Sequence, residues 1–181
     1  EGVETQLSLS LDGQWLSYLQ QEGEQKRWYL QPTDIASAAA KGQSRMQIEV
    51  GAGTLRFTSL SPDRQWLLYE LCQQHQCQVF LKPSPVASDI TTSTLAARAS
   101  TTEADQFLLQ LPWDSQLRLS WQQDSKAIYF SANRHADWQA KPLNSEIFQL
   151  TLADRMLTQL TDRNGPDAQP QLSPDGKLIA Y

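Results

Sequence analysis

Apolar residues in this chain come in short bursts set between polar turns. Trp15, Leu16 and Tyr18 form one burst, Trp66-Leu67-Leu68-Tyr69 and Ile128-Tyr129-Phe130 form two more, and Leu178, Ile179 and Tyr181 a fourth. Short apolar or alternating segments bounded by turn residues predict β-strands, and a period of two places Leu16 with Tyr18, and Ile179 with Tyr181, on one face. A following strand is predicted at Arg27-Trp28-Tyr29-Leu30, at Gln78-Val79-Phe80-Leu81 and at Glu146-Ile147-Phe148-Gln149-Leu150. Outer strands are predicted at Met46-Gln47-Ile48-Glu49-Val50 and Met156-Leu157-Thr158-Gln159-Leu160. The segment 84–102, rich in Ser, Thr and Ala, reads as a long loop, with one strand after it around Phe107 to Leu111.

The bursts follow a repeated phrase. Leu9-Ser10-Leu11-Asp12-Gly13-Gln14-Trp15-Leu16-Ser17-Tyr18 matches Leu60-Ser61-Pro62-Asp63-Arg64-Gln65-Trp66-Leu67-Leu68-Tyr69, sharing Leu, Ser, Asp, Gln, Trp, Leu and Tyr in register. Degenerate and clean copies follow at Ser120 to Phe130 and at Leu172-Ser173-Pro174-Asp175-Gly176-Lys177-Leu178-Ile179-Ala180-Tyr181. The aspartates Asp12, Asp63, Asp124 and Asp175 lie 51, 61 and 51 residues apart, a blade-sized period, and an aromatic residue follows each by six. Pro presets φ, Asp braces the turn through its side chain, and Gly takes the corner that other residues resist.

The prediction is therefore an all-β chain, a partial β-propeller of four-stranded antiparallel blades, with three units and the start of a fourth. The units are placed at about 1–52, 53–112, 113–164 and 165–181. A propeller needs about four to eight blades to close, so more chain is expected beyond Tyr181.

The net charge of -5 offers no cationic field for nucleic acid or anionic lipid. No apolar run approaches the roughly 20 residues that cross a bilayer as a helix, so neither nucleic-acid binding nor membrane insertion is expected. The Gly-x-Ser-x-Gly elbow of a serine hydrolase is missing; the nearest approach, Gly42-Gln43-Ser44-Arg45-Met46, lacks its second Gly, and neither His75 nor His135 stands in a triad context. No catalytic residue, cofactor or metal is expected within the chain.

Cys72-Gln73-Gln74-His75-Gln76-Cys77 predicts a hairpin whose four intervening residues form the loop, bringing the sulfurs together as a cross-strand disulfide in an oxidising compartment. Free thiols, or a metal site completed by His75, are the alternatives. The insertion 133–144 carries Arg134, His135, Asp137, Trp138 and Lys141. Arg134, Asp137 and Trp138 are its candidate substrate-binding residues, against a solvated loop anchored by Trp138. The four repeat aspartates are read as turn braces in preference to a ring of cation ligands, and Trp15, Trp28, Trp66 and Trp121 as core.

These Ser-Pro-Asp-Gly, WD-like repeats resemble those of TolB-like proteins and of prolyl oligopeptidase-type serine peptidases. The last third, with Phe130-Ser131-Ala132-Asn133-Arg134-His135-Ala136-Asp137-Trp138, Asn144-Ser145-Glu146-Ile147-Phe148 and Leu160-Thr161-Asp162-Arg163-Asn164-Gly165-Pro166-Asp167, is similar to acylaminoacyl-peptidase and dipeptidyl-peptidase propellers. That resemblance implies a propeller standing over a C-terminal α/β-hydrolase domain of the same polypeptide, restricting access to a Ser-Asp-His triad and helping to select short peptides. Leu11 in place of Pro and Arg64 in place of Gly depart from the pattern and keep a TolB-like binding or scaffolding propeller, with a protein partner, as the alternative. A propeller sensor joined to a membrane or regulatory domain is a third reading. The suspected disulfide and the family's habit point to a periplasmic or secreted location, with the cytoplasm still open.

Overall fold

The computed structural model describes residues 4–10, 12–36, 45–74, 76–86, 105–112 and 119–181. The first sheet orders β1 (Glu4–Leu9), β2 (Trp15–Glu22), β3 (Gln25–Pro32) and β4 (Met46–Ile48) side by side in chain order. The second does the same with β5 (Thr54–Leu60), β6 (Trp66–Gln73), β7 (Gln76–Pro83) and β8 (Gln106–Pro112). The third holds β9 (Leu119–Trp121), β10 (Ala127–Ala132), β11 (Glu146–Thr151) and β12 (Leu157–Gln159), and a two-stranded sheet pairs β13 (Gln171–Leu172) with β14 (Ile179–Ala180). Consecutive antiparallel strands in meander order are the construction of propeller blades. The chain forms two compact units, 1–110 with the first two sheets and 111–181 with the rest.

Each repeat turn is built by the same few hydrogen bonds. The Ser10 hydroxyl donates to Asp12 Oδ1 at 2.6 Å, that oxygen accepts the Gln14 amide at 3.0 Å, and Ser10 Oγ accepts the Trp15 amide at 3.0 Å. Ser61, Asp63, Gln65 and Trp66 repeat the pattern, as do Ser173, Asp175, Lys177 and Leu178. In the degenerate copy Gln122 stands where Ser does elsewhere, so the seryl bond is lost, while Asp124 Oδ1 still accepts the Lys126 amide at 3.0 Å. The residue after each Asp is left-handed: Gly13 at φ 66° and Gly176 at 69°, but Arg64 at 62° and Ser125 at 60°. A side chain there costs about 1–2 kcal/mol, which is why the motif favours glycine.

The core of the first unit lies between its two sheets. Trp15, Leu19, Trp28, Leu30 and Ile48 face Leu55, Leu60, Leu67, Tyr69, Leu71 and Val86. The sequence placed Val86 in a loop, yet it packs into this core, while 87–102 of that loop lie outside the described residues. Trp66 and Trp121, read as core from the sequence, are only half-buried, because each flanks a turn at the end of its sheet. Tyr181 and Leu178 are exposed beside the narrow two-stranded sheet. Strands β4 and β12 are three residues each, shorter than their apolar pattern suggested.

The β6–β7 hairpin also departs from expectation. Its turn has two residues rather than four, since Gln73 pairs with Gln76 and Cys72 with Cys77 within the ladder. Gln74 takes φ 44° there, as Gly23 takes 62° in the equivalent β2–β3 turn, the geometry that tight hairpins require. Cys72 and Cys77 form a disulfide across this pair. Closing so short a loop is worth about 2 kcal/mol by chain entropy. Cys72→Ser with Cys77→Ser is therefore expected to lower urea-melt stability by about that amount, and unreduced protein should show no free thiol on titration.

Candidate functional site

The connection between β10 and β11 meets the segment after β12 at one end of the third sheet. Asn144, just before β11, accepts the Gly165 amide on Oδ1 at 2.8 Å. Its Nδ2 lies 3.0 Å from His135 Nε2. Ser145 exchanges two hydrogen bonds with Asp167: its hydroxyl donates to the Asp167 carbonyl at 2.9 Å, and the Asp167 amide donates to the Ser145 carbonyl at 2.8 Å. Glu146, the first residue of β11, is buried at 1% exposure. Its carboxylate accepts the Thr161 hydroxyl at 2.6 Å and the Arg163 amide at 3.3 Å, with His135 Nε2 at 3.6 Å. Arg163 Nη2 in turn reaches Asp167 Oδ1 at 2.6 Å, and this contact holds the Asp167 carboxyl below the usual carboxylate range.

This polar lattice fixes both ends of the insertion, and the insertion folds on itself in between. Asn133 Nδ2 donates to the Lys141 carbonyl at 2.6 Å, and amides of Trp138, Ala140 and Lys141 bond back to His135 and Asp137. Asp137 is exposed and pairs with Lys141 at 3.1 Å, a bond that keeps its carboxyl below the ordinary value. Trp138 is half-buried and Arg134 is exposed. The outer surface of the rigid loop thus offers a cation, part of an indole and a compensated ion pair.

Glu146, Asn144, Thr161, Arg163 and Asp167 were not singled out from the sequence as a network. The signal was the charge opening an otherwise apolar strand, Glu146-Ile147-Phe148, since a carboxylate in that position must find donors. The second unassigned charge is Glu70, inside Trp66-Leu67-Leu68-Tyr69-Glu70-Leu71-Cys72. A bulge between Leu55 and Phe57 gives β5 an extra residue, Arg56, opposite Glu70, and bulges redirect side chains in this way. The Arg56 guanidinium lies 3.6 Å from Cys77 Sγ and 4.0 Å from Cys72 Sγ. Burial pushes the Glu70 carboxyl up to about 7, with Arg56 pulling it down.

Glu70, Cys72 and Cys77 are the group of potential metal ligands that lies close enough together among the described residues. Their chemistry does not fit a cation, because the sulfurs are joined and a guanidinium sits against them. Asp12, Asp63, Asp124 and Asp175 all spend an oxygen on their own turn. His75 and Ser44 lie outside the described residues. Among those described, no serine hydroxyl is hydrogen-bonded to His135, whose ring faces Asn144 and Glu146. No described helix is long and apolar enough to cross a membrane.

Four-stranded meanders whose first two strands are joined by Asp-braced turns define the chain as blades of a β-propeller. Searches with protein-family profiles found no match, and curated proteins gave none either. Solved structures do match: TolB from Acinetobacter baumannii, at 18% identity and TM-score 0.71, is similar over 99% of this chain and 37% of its own. A protein assigned as TolB from Agrobacterium tumefaciens is 18% identical with TM-score 0.63, over 98% of this chain and 53% of its own. A puromycin-hydrolyzing peptidase from Mycobacterium tuberculosis is 15% identical with TM-score 0.60, over 97% of this chain and 27% of its own. The chain therefore spans between 27% and 53% of the length of these structures.

Proposed function

We propose that this chain is a non-catalytic, polypeptide-binding propeller segment that gates and selects peptides for a serine peptidase domain carried by the same polypeptide. The observation behind this reading is the rigid insertion 133–145. Buried Glu146 and its partners hold it at both ends, leaving Arg134 and Trp138 toward solvent. An exposed cation and a half-buried indole on one braced loop suit a peptide carboxylate and an apolar side chain, and a backbone already ordered lowers the cost of binding. The likeness to a peptidase propeller supports the same reading. A periplasmic or secreted location is part of the proposal and draws on the Cys72–Cys77 disulfide.

The second reading, a TolB-like propeller that binds a protein partner without hydrolysis, is favoured by the higher TM-score to TolB, 0.71 against 0.60. Treating the full-length protein with a fluorophosphonate probe separates the two. Labelling of a serine outside residues 1–181, with peptide hydrolysis, is expected. Arg134→Ala and Trp138→Ala should then raise KM for peptides up to about tenfold, the loss of one or two good contacts, while leaving turnover of a small ester unchanged. No labelled serine would transfer the protein to the TolB-like reading. Unchanged peptide KM in both variants would remove the insertion as the selecting surface.

A further inference from the structure

A groove of about 480 Å³ opens beside the tip of the β6–β7 hairpin, well away in sequence from the 133–145 insertion. Tyr69 and Leu71 form its floor, and Gly51 lines its other side. The connector 49–53 comes this close because Gly53 lacks a side chain. A Cβ there would lie 2.9 Å from Gln73 Cγ and 3.0 Å from the Cys72 carbonyl, at a φ of 145° that other residues resist.

Gln73, Gln74, Gln76 and Gln78 converge on this groove, and none of their side-chain amides has a hydrogen-bond partner among the described residues. Gln78 pairs with Leu71 and Phe80 with Tyr69 across the ladder, so these four share one face. The Phe80 ring stacks on Tyr69 at 5.3 Å between centroids and lines the groove. Asp105 accepts the Tyr69 hydroxyl at 2.5 Å and is neutralised by Lys82 at 3.0 Å. The groove is thus polar but carries no uncompensated charge.

We propose that this groove binds a neutral oligosaccharide, held by the glutamine amides around the Phe80 ring and the compensated Asp105 carboxylate. A sugar hydroxyl is both donor and acceptor, and so is each glutamine amide, so the two sets of groups satisfy one another without charge. The C–H face of a sugar ring suits an aromatic side chain, and a small set of placed polar groups in a concavity fixes orientation. Phosphorylated or acidic ligands would leave their charge unanswered here. An extended peptide prefers a free strand edge, and both edges of β7 are already paired, to β6 and β8.

The test is saturation-transfer NMR on the intact protein with cellobiose, maltose and N,N′-diacetylchitobiose as probes at millimolar concentration, and an uncharged alanine hexapeptide for comparison. At least one disaccharide is expected to receive saturation. Gln78→Leu should weaken it about tenfold, the value of a hydrogen bond lost at a site that then stays unsatisfied. Gly51→Phe should abolish it by filling the groove from the exposed connector, and both variants should melt at the wild-type temperature. Absence of transfer to all three sugars, or transfer that survives Gly51→Phe, would overturn the proposal. So would binding of the hexapeptide in place of the sugars.

Discussion

Trp28→Ala is expected to lower the unfolding free energy of the intact protein by about 4 kcal/mol, the upper range for truncating a large buried aromatic. Trp28 lies on β3 at 1% exposure, and its ring meets Tyr69 of the neighbouring sheet at 6.0 Å. Truncation opens a cavity where two blades of the first unit meet, and neither sheet can collapse into it without breaking its ladder. It also strands a polar group. The indole Nε1 donates to Ser17 Oγ at 2.8 Å, and Ser17 is itself buried. Against a typical total of roughly 5–15 kcal/mol, such a loss brings a domain close to unfolding. Trp66→Ala should cost about 1–2 kcal/mol, since a half-buried ring removes less area from water. Equilibrium urea denaturation of both variants gives the comparison, and equal losses would mean that the inter-blade core does not depend on Trp28.

The second large effect depends on pH. The Glu70 carboxyl titrates near 7 in the folded protein against 4.5 for its ordinary value, because burial at 1% exposure opposes the charge more strongly than Arg56 relieves it. One of its oxygens, Oε1, has no hydrogen-bond partner among the described residues. The folded state therefore holds this proton more tightly than the unfolded chain does. Its contribution is fully favourable below 4.5, and stability is lost as pH rises from there through about 7. Across that interval the loss amounts to about 3 kcal/mol. Glu70→Gln keeps the shape and removes the charge, so it should stabilise the protein by about 3 kcal/mol at pH values above the titration and change little at pH values below it. Urea melts on either side of the interval measure this. A wild-type protein whose stability is flat between them, or a variant with the same slope, would remove the assignment.

Both effects concern residues that a reading of neighbours in the chain treats differently. Trp28 stands in an apolar strand and is legible as core. Glu70 sits between Tyr69 and Leu71, and the sequence marks it only as a charge out of place. The same holds for Glu146 at the head of β11. Its donors, Thr161 and Arg163, come from the far side of β12, and no local pattern announces that they will meet. Arg134, Asp137 and Trp138 were legible as the chemistry of an insertion, but the rigidity of that insertion rests on Asn144 bonding Gly165 and Ser145 bonding Asp167.

The repeat turns, the strands that follow them and the propeller class were determined by the sequence alone. Their chemistry is local: Ser10, Asp12, Gln14 and Trp15 lie within five residues of one another, and the hydrogen bonds that close the turn need nothing else. A period of two then assigns faces. Tertiary structure decided the rest: that the β6–β7 turn is two residues long, that a bulge sets Arg56 against Glu70 and the disulfide, and that four glutamines line a groove beside Gly51. Burial, and with it the cost of a charge or the value of a hydrogen bond, depends on atoms brought together from distant parts of the chain.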